Sequence, residues 1–163
     1  AGKSVNFPTG QAAKGNPGVA GVIKQTKHSI GYVGSEYAFA QKIPYARIQN
    51  KCGDFVKPTA ATISAAASGV IPADTRCSIT DADAVGAYPI STFTWMIIYK
   101  EQHYSDRTKE QAQATLDLVK YILSDEAQAI TSEVHYAPLP LKAKELSLTN
   151  LKTVTYDGIA VWE

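Results

Sequence analysis

The sequence predicts an α/β fold, and three observations carry that expectation. Short runs of β-branched and aromatic residues recur along the chain, the longest from Ile90 to Tyr99. Between them, apolar residues return at helical spacing, as in Ala112, Leu116, Val119 and Leu123. Gly, Pro, Asn and Asp punctuate the joins. Short strands that alternate with helices argue for α/β rather than all-α.

Taken in order, residues 1–15 are dotted with Gly and Lys around Phe7-Pro8 and Thr9-Gly10, and predict an extended lead-in. Asn16 then offers an N-cap, with Pro17 at the first helical position. Val19, Ala20, Val22 and Ile23 share one helical face, so a short helix is predicted to about Gln25. Ser29 to Val33 is a β-type run. Ser35 can cap a second short helix over Glu36–Gln41, which Pro44 keeps from extending. Tyr45–Gln49 and Asp54–Val56 are strand candidates on either side of a Cys52-Gly53 turn. Thr59–Ala67 reads as an Ala-rich helix ended by Ser68-Gly69.

Residues 70–88 are irregular, with Pro72 and Gly86, and form the expected internal boundary. Ile90–Tyr99 follows as the strongest predicted strand. Thr108 with Gln111 is a capping-box pattern that opens a helix through Ile122 or Leu123. Another helix is predicted over Asp125–Ser132. Pro138 and Pro140 bracket an extended segment, and Leu141–Thr149 is a last, weaker helix. There is no repeat and no low-complexity segment.

Composition bounds the function. The 163 residues are about one domain long, and 45% hydrophobic with 19% charged residues is ordinary for a soluble globular protein. Sixteen Lys plus Arg against fifteen Asp plus Glu leave a net charge of +1, which removes any electrostatic case for nucleic acid. The longest apolar run, Trp95 to Tyr99, is too short to cross a bilayer as a helix. The chain does not start with Met, and no charged-then-apolar segment stands at its start. A mature or excised piece with its targeting signal removed is therefore expected.

The motif survey finds no catalytic constellation, so the chain is expected not to be an enzyme. Gly2-Lys3-Ser4 echoes a P-loop end, but the upstream glycine and strand are missing. Asp81-Ala82-Asp83 lacks the glycine and terminal Glu of a calcium loop and reads as a solvated turn. His28, His103 and His135 are far apart and show no metal-ligand spacing. Lys14 to Gly18, at a helix start, could accept an anion, but ordinary capping explains it as well. Neither a metal nor another cofactor is expected. Cys52 and Cys77 are separated by 24 intervening residues and lie outside any C-x-x-C pair. Their even number, in a chain taken to have lost a signal, favours one disulfide over two free thiols.

A series of motifs then carries a resemblance. It runs from Gly2 to Gly10 through Lys14-Gly15-Asn16, Gly18-Val19-Ala20, Ser29 to Val33 and Tyr37-Ala38. It continues in Gln49-Asn50-Lys51, Gly53, Phe55 to Pro58, Ala65-Ala66-Ala67, Ala87 to Ser91 and Tyr136 to Pro140. In this order and spacing the chain resembles the phosphate-binding protein of bacterial phosphate ABC transporters, the PstS family. It departs where Phe7 stands in place of the usual Trp, and Cys52 and Cys77 are not features of that family.

The resemblance implies the C-terminal half of a two-lobed, type II periplasmic-binding-protein fold with each lobe incomplete. Residues 1–86 correspond to the later part of the second lobe, and residues 87–163 to the hinge return and the C-terminal part of the first. It implies a phosphate-binding component of an ABC-type phosphate transporter, periplasmic or extracellular, lipid-anchored or secreted. The implied phosphate ligands, including an Arg followed by Ser-Gly-Thr, lie upstream of Ala1. Arg47, Arg76 and Arg107 lack that context, so no ligand residue is carried over. Inorganic phosphate would then bind only with an N-terminal half. An N-terminal half-chain or a domain-swapped copy is expected to complete the fold, and transporter membrane subunits are implied as partners. The alternative is a structural or interaction module that keeps the fold without an anion site.

Overall fold

A computed structural model describes residues 7–162 of the chain. The expected extended lead-in falls partly outside them, as does the Gly2-Lys3-Ser4 echo. The described residues form six helices and four two-residue strands, so helices and a few strands are mixed. The chain divides into two units, Ala1–Tyr45 and Ala46–Glu163. The lobe boundary expected between residues 86 and 87 lies inside the second.

In the first unit, α1 (Gly15–Gln25) and α2 (Ser35–Ala40) form where apolar spacing predicts them. Buried Ala20 and Ala38 meet Ile43, with Ile23, Val33 and Tyr37 packed around them. Two findings differ from expectation. Asn16 does not cap α1, because the N-cap position is Lys14; Asn16 Oδ1 instead accepts the Gly34 N–H at 3.2 Å, fixing the turn before α2. Ser29–Val33 is no strand, since the first unit contains nothing for it to pair with among the described residues.

The second unit begins with a hairpin, β1 (Ile48–Gln49) against β2 (Phe55–Val56), paired Ile48 to Val56 and Gln49 to Phe55. Gly53 closes its turn at φ +91°, a conformation that glycine adopts without a Cβ clash. Helix α3 (Ala60–Ala66) starts at Thr59, whose side chain exchanges hydrogen bonds with Thr62. Ala66 and Ala67 pack on Ile79 and Ala87, a cluster bordered by Cys77 and Phe93. Residues 70–88 are irregular as expected, held by hydrogen bonds such as Tyr88 N–H to the Thr62 carbonyl at 2.9 Å.

Helices α4 (Lys109–Ile122), α5 (Asp125–Glu133) and α6 (Leu141–Leu151) follow. The Thr108–Gln111 capping box is present with both reciprocal bonds. A second hairpin, β3 (Thr155–Tyr156) with β4 (Ile159–Ala160), closes the chain around Asp157-Gly158, both at positive φ. Ala112 and Leu116 of α4 pack on Leu151, Val154 and Val161, with Trp162 against their rim.

The main difference is Ile90–Tyr99. The segment belongs to no helix and to no sheet. Its β-forming side chains are present, yet a strand needs a partner, and none lies alongside it among the described residues.

Candidate functional site

Residues of this segment line a groove of about 410 Å³. Phe93, Trp95 and Met96 line it together with Val119, Ile122 and Leu139. The Trp95 indole N–H reaches the Thr75 carbonyl at 3.5 Å, and Asn150 donates to the Ala73 carbonyl at 2.9 Å, so residues 73–75 are tied to the groove lining. The lining is mostly apolar. Its one cation is Lys100, and its one acid, Asp74, is engaged by Arg76 at 2.9 Å. The Arg76 backbone N–H and guanidinium both hold the Asp74 carboxyl below its ordinary value. A groove with a single cation and an already-paired carboxylate suits an apolar segment, not a small dianion.

Beyond the groove, Glu101 fastens the C-terminal hairpin. Its carboxylate accepts the N–H groups of His103, Asp157 and Gly158 at 2.9, 3.0 and 3.1 Å, and the Thr155 hydroxyl at 2.8 Å. The His103 N–H, then the Thr155 hydroxyl and the hairpin amides, lower the Glu101 pKa to about 2. His103 stacks on Tyr156 with ring centres 4.8 Å apart, and its Nδ1 meets Asp157 Oδ1 at 2.5 Å. That bond raises the His103 pKa.

The two shifts act in opposite directions with pH. Glu101 is depressed, so its contribution is complete above its unfolded value of 4.5 and fades as pH falls towards 2. His103 is raised, so its contribution is complete below 6.5 and fades as pH rises through the folded value. The hairpin is therefore held most firmly between about pH 4.5 and 6.5. In thermal scans from pH 2 to 7, Glu101→Gln should melt below the wild type at pH 6 and converge with it near pH 2. A gap that stays constant down to pH 2 would contradict this role.

The residues singled out in the sequence do not converge. Cys52 and Cys77 are free, so the expected disulfide is not formed: Cys52 is exposed in the β1–β2 turn, while Cys77 is half-buried beside the Ala66–Ala87 cluster. Asp83 pairs loosely with Lys51 at 3.9 Å, and no group of three His, Cys, Asp or Glu able to hold a metal occurs among the described residues. The helix start at Lys14–Gly18 has no side-chain cap. No local sequence pattern marks Glu101, although Asp157-Gly158 is a hairpin-turn signal that points to the neighbourhood it fastens.

No protein-family model matches the chain. Among curated proteins, it is 34% identical to the phosphate-binding protein PstS of Methanocaldococcus jannaschii over 94% of its length. It is 40% identical to PstS of Xylella fastidiosa over 85%, and 32% identical to PstS of Pasteurella multocida over 99%. This is a PstS-like chain.

The chain spans less than half of these relatives: 43%, 38% and 47% of their respective lengths. The relatives are named as binding proteins, not as enzymes. Three residues from the motifs that carry the resemblance act as fastenings in this structure. Asn50 joins the β1–β2 turn to the Ala87 carbonyl, and the Ser91 hydroxyl donates to the Tyr88 carbonyl at 2.7 Å. The Leu139 N–H donates to Gln128 Oε1, also at 2.7 Å.

Proposed function

We propose that this chain is the C-terminal portion of the phosphate-binding component of an ABC-type phosphate transporter. The observation that carries this is the likeness to PstS over 85% to 99% of the chain, combined with coverage of less than half of each relative. The anion donors belong to the remainder of the PstS-like polypeptide. Residues 1–86 then serve one lobe, and residues 87–163 return through a hinge into the other. Phosphate, membrane subunits of the transporter and a periplasmic or extracellular location come with this function.

Calorimetric titration with inorganic phosphate separates the possibilities. The chain alone should show no tight uptake, and the chain joined to the upstream portion of a PstS-like protein should bind phosphate. Tight binding by the chain alone would overturn the placement of the donors. A folded, joined protein that binds no phosphate would instead favour a structural module.

A further inference from the structure

The net charge of +1 conceals an uneven distribution. Residues 1–45 hold five lysines against one acid, Glu36, a formal charge of +4. Residues 46–163 hold eleven Lys or Arg against fourteen Asp or Glu, a formal charge of −3. In the first unit Lys14, Lys24, Lys27 and Lys42 are all exposed, and none has an ion-pair partner among the described residues.

Two of these lysines share a pocket of about 300 Å³. Ile23 and Lys24 line it from the end of α1, and Gln41, Lys42, Ile43 and Pro44 from just after α2, with no acid among them. Lys42 stands there at a conformational cost. Helix α2 ends in a Schellman motif: the Lys42 N–H donates to the Phe39 carbonyl at 3.2 Å, and the Ile43 N–H to the Ala38 carbonyl at 2.8 Å. Lys42 takes the left-handed position of that motif, at φ +54°, where glycine is usual and a Cβ is crowded.

We propose that this pocket docks an acidic, extended segment of a protein partner, with carboxylates on Lys24 and Lys42 and apolar atoms against Ile23, Ile43 and Pro44. Magnitudes favour a segment over a free ion. An exposed ion pair contributes little, because water competes for it and salt screens it. A small anion meets one or two such lysines and finds no buried donor to hold it. A chain of carboxylates meets several at once, and Lys27, three residues beyond Lys24, supplies a further cation. The pocket also differs from an uncovered apolar face. Lysines are almost never fully buried unless paired, so these ammonium groups call for water or an acid in a longer polypeptide as well. This inference is independent of phosphate binding and concerns only the first unit.

Fluorescence anisotropy with a labelled hexaglutamate peptide tests it on the full chain. Binding should saturate at about 20 mM salt and weaken roughly tenfold by about 200 mM, and hexaglutamine should not bind. Lys24→Gln and Lys42→Gly should each weaken binding several-fold, and together abolish it. Lys142→Gln, an exposed change in the second unit, should leave it unaltered. Lys42→Gly also puts the favoured residue at the left-handed position, so it should melt no lower than the wild type, and its lost binding is then not a loss of fold. The same titration should hold for the chain joined to the upstream portion of a PstS-like protein. Absence of hexaglutamate binding, or binding indifferent to both lysines, would overturn the proposal. So would displacement by inorganic phosphate at equal concentration of charge, tighter binding of a single-stranded oligonucleotide through the same lysines, or loss of binding in the joined protein.

Discussion

Leu116→Ala is expected to lower the urea midpoint of the second unit by about 1–2 M, from a loss of roughly 2–5 kcal/mol. Leu116 is 1% exposed and lies one helical turn from Ala112, on the stripe of α4 that meets Leu151, Val154 and Val161. Truncation removes three carbons from a cluster already rich in small side chains, and Ala112 cannot extend to fill the space. A small fold holds roughly 5–15 kcal/mol in all, and this one leaves an apolar edge uncovered, so the loss is a large share. Both tryptophans, Trp95 and Trp162, lie in the second unit, so their fluorescence reports on it selectively. Leu118→Ala, two residues along but 55% exposed, is the control and should change stability by less than about 0.5 kcal/mol. Equal midpoints for the two variants would mean that the buried stripe of α4 is misplaced.

The helices were legible because their determinants are local. Thr108 and Gln111 are three residues apart, and the capping box they predict is the one observed. The Thr59 start and the Gln25 end are also set within one or two turns of chain. Strands are different. Ile90–Tyr99 has the composition of a strand, but composition supplies only half of a ladder, and the other half is not within the described chain. The C-terminal hairpin is hard to read although Asp157-Gly158 marks it, because its strands are only two residues long and show no alternation. Glu101 was invisible for a further reason: three of its four partners, Thr155, Asp157 and Gly158, lie more than fifty residues away. Cysteine number pointed to a pairing that the structure does not contain, since parity says nothing about whether two Cβ atoms approach.

Asn50 illustrates how a short motif can carry a large effect through hydrogen bonds alone. It is 5% exposed, and three of its polar groups are engaged within the β1–β2 turn and the fourth beyond it. Its N–H donates to the Asp54 carbonyl, its carbonyl accepts from Gly53, and its Oδ1 accepts from the Asp54 N–H, each at 2.9 Å. Its Nδ2 donates to the carbonyl of Ala87, a residue with no exposure, at 3.2 Å. Asn50→Ala strands that carbonyl where water does not readily reach, at a cost of about 1–3 kcal/mol, and loosens the turn as well. Asn50→Asp should be no gentler, because it keeps the acceptor for Asp54 but sets a carboxylate against a carbonyl in a dry site. The neighbouring Gln49 makes only an exposed bond to the Gly53 carbonyl at 3.1 Å, so Gln49→Ala should be nearly neutral. Amide exchange can resolve the mechanism. Asp81 and Tyr88, whose N–H groups donate to Pro89 and Thr62, should lose protection in both Asn50 variants and keep it in Gln49→Ala. An Asn50→Asp protein with wild-type protection would show that the Nδ2 donor is dispensable. Because the Asn50–Ala87 bond spans the proposed lobe division at 86/87, the same variants in a completed phosphate receptor should weaken the hinge before they touch the anion donors.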